Sequence, residues 1–250
     1  MIRLRQMAWS VLAGGLCAGV VLFALQSALI TPIIREAERY ENQPLEMQIP
    51  APATKPGEHT LPPAIPPPAP PPAKPTEYSI LFTTLLADLA VGLGYALFLC
   101  AGFLLVGRKV DFSRGMNWGA CGFAAFAMAP AFGLPPEPPG ASDGALASLG
   151  ARQLWWLLTV GSTIVGLATF AFARRNWKFL SIPWFLAPHL ALAPLLLPRD
   201  AGPGTVPAAL AGGFLAAVMM TSAAFWLSLG TLSGWVWGRL EPPMDADGRG

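Results

Sequence analysis

Charge is scarce in this chain. Of its 250 residues, 12% are Asp, Glu, Lys or Arg, where a soluble domain carries about 25%. That shortage excludes an ordinary water-facing globule and points to lipid. Cysteine is sparse too: Cys17, Cys100 and Cys121 fall in three separate apolar runs. No disulfide framework is implied, and lone cysteines of this kind pack as small hydrophobes. Apolar and polar residues do not alternate at period two, which argues against a transmembrane barrel. The sequence has no Gly-rich phosphate loop, dinucleotide fingerprint or Ser/His/Asp set, so it carries no machinery of its own for ATP-driven work or nucleophilic catalysis. Neither an enzyme nor a nucleic-acid partner is expected.

What the chain has is apolar length. Hydrophobic residues make up 54% of it, and the mean hydropathy is +0.50. Nearly uncharged runs lie at 7–30, 79–106, 115–134, 153–173, 179–198 and 206–238. Each is long enough to cross a hydrocarbon core of ~30 Å as a helix rising ~1.5 Å per residue. The pattern predicts an all-α, polytopic integral membrane helix bundle with six transmembrane helices in a single membrane domain. Pro183, Pro188 and Pro194 interrupt the fifth run. If that run were re-entrant, five helices would span. The first run follows Arg3 and Arg5 like a secretory signal, but no small-residue cleavage site follows at Ile30-Thr31-Pro32, so it reads as a retained span.

Lys and Arg set the orientation. With a cytoplasmic N-terminus, the inside segments 1–6, 107–114, 174–178 and 239–250 hold ten basic residues, and the longer outside segments hold six. This is the positive-inside pattern, and it places both termini in the cytoplasm. A five-span reading gives nine inside and seven outside, so charge favours six. All tryptophans but Trp226 sit near proposed span ends, as interfacial anchors do.

The 31–78 segment is a proline-rich outside loop, with 13 prolines between 44 and 75. It favours extended polyproline II and reads as a semi-rigid strap. His59 is its only histidine. Glycines four apart at 15 and 19, 115 and 119, 230 and 234, and 234 and 238 let helix backbones approach closely.

Three residues could meet a cation. Asp88 lies well inside the second run, where a carboxylate costs ~2.5–3.5 kcal/mol on insertion scales and must face the bundle interior. It reads equally as a protonated acid bonded across helices. His189 sits among prolines whose missing N–H groups free carbonyls for a hard-to-borderline cation. Glu137, in FGLPPEPPGAS (132–142), is fenced by prolines that stop the third helix and fix one acid at the outer mouth. A merely solvated turn is the plain alternative. Glu36 and Glu38 follow the first span and add negative potential there, unless they only solvate a helix end.

The segments AFGLPPEPPG (131–140), LGARQLWW (149–156), TPIIREAERYE (31–41), PHL (188–190) and LSGW (232–235) resemble the CbtA family of cobalt transporter components. The resemblance implies a multi-pass protein of the bacterial inner (cytoplasmic) membrane serving cobalamin synthesis, with cobalt(II) as substrate and no resident cofactor. It also implies a small single-span CbtB-type partner with a histidine-rich tail. It marks Glu137 and His189 as the leading metal residues, then Glu36 and Glu38, and implies a polar residue at the position of Asp88. Relatives often carry a histidine-rich loop after the first span; here that loop is proline-rich, so capture falls to the partner or to the mouth acids. The expected function is a membrane component of a cobalt(II) uptake system. The alternative is a non-transporting scaffold or metal-delivery partner of another transporter.

Overall fold

A computed structural model describes residues 2–42, 76–141, 149–193 and 204–240. Among the described residues there are helices and no strands. The polyproline part of the 31–78 loop lies outside them. Four helices are long and apolar enough to cross a membrane: Arg3–Tyr40, Glu77–Val106, Leu149–Phe172 and Ala208–Arg239.

Six helical stretches follow one another. The first, α1, joins Ile2–Leu25, a π turn at Gln26–Ile30 and Thr31–Asn42 without a break. It thus runs on well past residue 30, so the following loop is shorter than the sequence suggests. α2 is Glu77–Val106. α3 joins Phe112–Phe123, a π turn at Ala124–Met128 and Ala129–Ala131. α4 is Leu149–Phe172. α5 joins the 3-10 stretch Arg175–Leu180, Ser181–Ala187 and a π turn at Pro188–Leu192. α6 is Ala208–Arg239. The stretches α3 and α5 match the third and fifth apolar runs but are not among the four long apolar helices. Glycines and Arg114 dilute the first of these, and the second is short.

Local chemistry sets the turns. α2 ends at Gly107, whose φ of 63° lets its N–H return to the Phe103 carbonyl at 3.1 Å, the left-handed cap that glycine adopts without strain. α3 starts at Asp111, whose side chain accepts the Arg114 N–H at 2.9 Å, an N-cap. The three π turns share a register. Each closes through the N–H of the residue just before a proline: Thr31 to Gln26, Ala129 to Ala124 and Ala193 to Pro188. A proline ring presses on the carbonyl four residues back, and one wider turn beside it relieves that contact.

Contacts fix the relative directions. α1 runs antiparallel to α2, since Gly15 meets Leu93 and Gly19 meets Asp88 and Leu89. It is also antiparallel to α6, since Gly14 meets Ser233 and Gln6 donates to the Trp237 carbonyl. α3 opposes α6 through Gly115 on Gly230 and Gly119 on Trp226. α5 folds back along α4 through Phe185 on Gly166 and Ser162 on the Trp184 carbonyl. The α1–α2 and α3–α6 seams use the glycines that the sequence places four apart. The core holds Ala96, Leu99, Cys100 and Phe103 of α2 against Phe225, Trp226, Leu229 and Trp237 of α6. Trp226 faces protein, at 4% exposure.

Candidate functional site

The proline-fenced turn is fixed, as the sequence suggests. Pro130 starts the exit of α3, and Gly133 and Leu134 both donate to its carbonyl, at 3.2 and 3.0 Å. Gly140, at φ 72°, reverses the chain. Its carbonyl accepts the N–H of Thr205 at 3.0 Å, tying the turn to the start of α6. Glu137 is exposed there, in a hollow of about 310 Å³. Arg152, on the first turn of α4, lines the same hollow. Among the described residues no ion pair joins Glu137 and Arg152. A cation drawn by the acid therefore meets a guanidinium at the same mouth. The sequence reading misses this opposition, although Arg152 stands inside the resemblance segment LGARQLWW.

A larger cleft of about 600 Å³ lies beside this hollow between α3, α4 and α6 and shares Leu134, Pro135 and Arg152 with it. Pro130, Trp155, Trp156 and Met219 line the rest of it.

His189 comes to the end of α3. Its Nδ1 lies 3.2 Å from the Phe185 carbonyl and its Nε2 3.0 Å from the Ala129 carbonyl. The Trp155 ring meets it edge-on at 5.4 Å, and Phe132 does so at 6.3 Å. A neutral imidazole has one N–H and one lone pair, so a metal could be bound only if one carbonyl contact opens. One of the two proline-freed carbonyls expected near it, those of Trp184 and Leu190, is already used. The Trp184 carbonyl, which Pro188 cannot reach, accepts the Ser162 hydroxyl. In α3, Pro130 likewise frees the Phe126 carbonyl, and Trp156 Nε1 donates to it at 3.2 Å. α4 thus supplies the donors that two broken helices lack, which is how breaks survive without water.

Asp88 lies apart from both. It is 6% exposed, on the α1–α2 seam, and Gly92 one turn on leaves room for α1, as the sequence suggests. Gln26 Nε2 donates to its Oδ1 at 3.4 Å. Gln26 is the only amide side chain in the first uncharged run, and that was the available signal for it. Glu36 and Glu38 ride the extension of α1. Glu36 pairs with Arg39 at 2.8 Å, and the neighbouring Arg35 pairs with Glu77 at 3.2 Å. These exposed pairs offset much of the expected negative potential and contribute ~0–1 kcal/mol each. The structure brings Glu137 and His189 to one end of the bundle without joining them, and leaves Asp88 elsewhere. Among the described residues no three His, Cys, Asp or Glu side chains cluster as a metal cage.

Residues 4–238 match the family described as "Probable cobalt transporter subunit (CbtA)". No curated protein and no solved structure matches the chain. The match covers nearly all of its length, and the chain belongs to that family of transporter subunits.

Proposed function

We propose that this protein forms the membrane path of a cobalt(II) uptake system in the bacterial inner membrane and supplies cobalamin synthesis. The family match over residues 4–238, which takes in nearly all of the helical bundle, carries the reading. The alternating directions of α1 to α6 support six crossings with both termini cytoplasmic, in line with the basic inside segments. Cobalt is substrate here, and no resident cofactor or enzymatic step is proposed.

The outer mouth works by charge. Glu137 concentrates the divalent cation, Glu36 and Glu38 add weakly, and Arg152 sets a barrier beside the acid. His189, just inside, relays the ion when one carbonyl contact opens. Nitrogen and oxygen donors suit cobalt, although the affinity order places nickel and copper above it. A single-span CbtB-type partner with a histidine-rich tail supplies the ligands that the described residues lack. At limiting cobalt, Glu137→Gln is expected to lower uptake by about 2–10-fold, and Arg152→Gln to raise it by a similar factor, as a change in local cation concentration would. Initial rates at two ionic strengths check this, because the effect of both variants shrinks in high salt.

One observation favours the alternative of a non-transporting scaffold or metal-delivery partner. Both His189 nitrogens face carbonyls, and no three-ligand cluster stands among the described residues. The deciding experiment is radiolabelled cobalt uptake in cells lacking other cobalt importers. The chain is expressed alone, with its partner, and as Glu137→Gln or His189→Ala, with membrane abundance checked each time. Uptake that falls in both variants at normal abundance supports the path. Full uptake in both removes these residues from it, and no uptake in any combination favours the scaffold.

A further inference from the structure

Asp88 is used by neither the mouth nor the His189 relay, yet it is the most buried acid among the described residues. A Cβ at Gly19 would lie 2.8 Å from the Asp88 carbonyl oxygen, so the α1–α2 seam is closed by backbone at that level. Of the two carboxyl oxygens, Oδ1 has the long bond from Gln26, and Oδ2 is buried with no partner. The Thr221 hydroxyl is also buried without a partner. Thr221 lies twelve residues before Ser233 on α6, as Gln26 lies twelve after Gly14 on antiparallel α1, so the two share a level where α6 meets the π turn.

The helices packed against α2 bring no charge to Asp88. Arg3, Arg5, Arg239 and, on α3, Arg114 sit at the opposite end, where Gln6 bonds the Trp237 carbonyl and Gly115 meets Gly234. Arg35, Glu36, Glu38, Arg39 and Tyr40 lie beyond the π turn at the outer end, with Glu77 and Tyr78 of α2. Cys17 is exposed. On α2 itself, Tyr95 is held against Phe126, Phe225 and Trp226.

An ionised carboxylate at this depth needs a counter-charge or several donors, and it has one amide. A divalent cation would leave a net positive charge, and a sodium ion needs several more oxygens than an amide and a carboxyl supply. A proton on Oδ2 neutralises the group and needs no cage. We propose that Asp88 is an intramembrane proton-exchange site, with Gln26 as its positioning residue. Its purpose rests on the transport reading, in which it couples cobalt movement to protons; its chemistry does not. Only the O–H bond is made or broken, and the proton is exchanged with water reached from the outer end. Gln26 opens the π turn, and its carbonyl accepts both the Thr31 N–H and the Thr31 hydroxyl, the latter at 3.1 Å. A π turn holds one residue more than an α turn, so its relaxation would swing Gln26 by about 100° and uncover the acid.

The test uses the purified full-length chain in lipid nanodiscs. Dicyclohexylcarbodiimide attacks protonated carboxyls in apolar surroundings, and peptide mass spectrometry locates the adduct. Asp88 should be labelled at neutral pH, with labelling falling at least tenfold as the pH is raised. Sodium at fixed pH should not protect it, and Asp88→Asn should abolish the adduct. Gln26→Leu removes a donor to the ionised form, so the labelling curve should move to higher pH. An unlabelled Asp88 in protein that keeps its thermal transition overturns the proposal, as does protection by sodium at constant pH. A labelled, pH-sensitive Asp88 in a chain that moves no cobalt supports the proton site and removes only the transport reading.

Discussion

Gly230→Leu is expected to leave almost no folded protein in the membrane. A Cβ at Gly230 would stand 2.4 Å from the Gly115 carbonyl oxygen, 2.6 Å from the Gly119 nitrogen and 2.7 Å from the Gly119 Cα. All three are backbone atoms, so no side chain can rotate away. Overpacking against movable side chains already costs ~1–3 kcal/mol, and here α3 and α6 must separate instead. Their separation would break the seam that joins α3 to the rest of the core and pull Trp226 from its place over Gly122. Lipid offers little to offset the loss, since helix association in a bilayer relies on close packing. Gly94→Leu and Gly161→Leu serve as controls, because a Cβ at either meets nothing within 4 Å. Fluorescence-detected size exclusion after detergent extraction checks the outcome: a monodisperse Gly230→Leu protein with a wild-type melt would show that this seam does not hold the bundle.

The fold was legible where one physical rule acts alone. Lipid demands long uncharged runs, and those runs became helices. Close approach demands small residues, and the glycines four apart became the seams. The site was less legible, because it depends on who meets whom across the bundle. Glu137 stands in a fixed turn, which the prolines and Gly140 announce. That Arg152 shares its hollow does not follow from a spacing of fifteen residues that includes an undescribed stretch. The sequence suggests that broken helices offer free carbonyls to an ion. In the structure Ser162 and Trp156 occupy two of them, since an unpaired carbonyl in hydrocarbon recruits the nearest donor. Asp88 was legible as a buried acid, but its partner Gln26 depends on the π turn, which no residue pattern short of Thr31-Pro32 foretells.

Trp155→Ala is expected to be the most damaging truncation on the α3–α4 side. Trp155 is 1% exposed and sits where the end of α3, the start of α4 and His189 meet. Its Nε1 donates to the Pro130 carbonyl at 3.0 Å. Its ring fills the space over Gly133, where a Cβ would lie 2.1 Å from the indole. Removing a buried aromatic costs ~3–5 kcal/mol, from lost contacts and an unfilled cavity, and the cavity would join the existing cleft. Trp155→Phe separates the two contributions. It keeps most of the ring and loses only the N–H, and the Pro130 carbonyl still accepts from Gly133 and Leu134, so it should cost ~0.5–1.5 kcal/mol, the net worth of one hydrogen bond. The larger change should also free His189, whose ring then lacks its edge-on neighbour. In the transport reading that loosens the bracket of carbonyls around the imidazole. Thermal melts of the purified variants give the order expected, wild type above Trp155→Phe above Trp155→Ala. If instead the two variants melt together, the indole N–H rather than the ring volume holds this corner. The Trp-Trp pair at 155 and 156 would then act chiefly as a donor pair for the backbone that Pro130 disrupts.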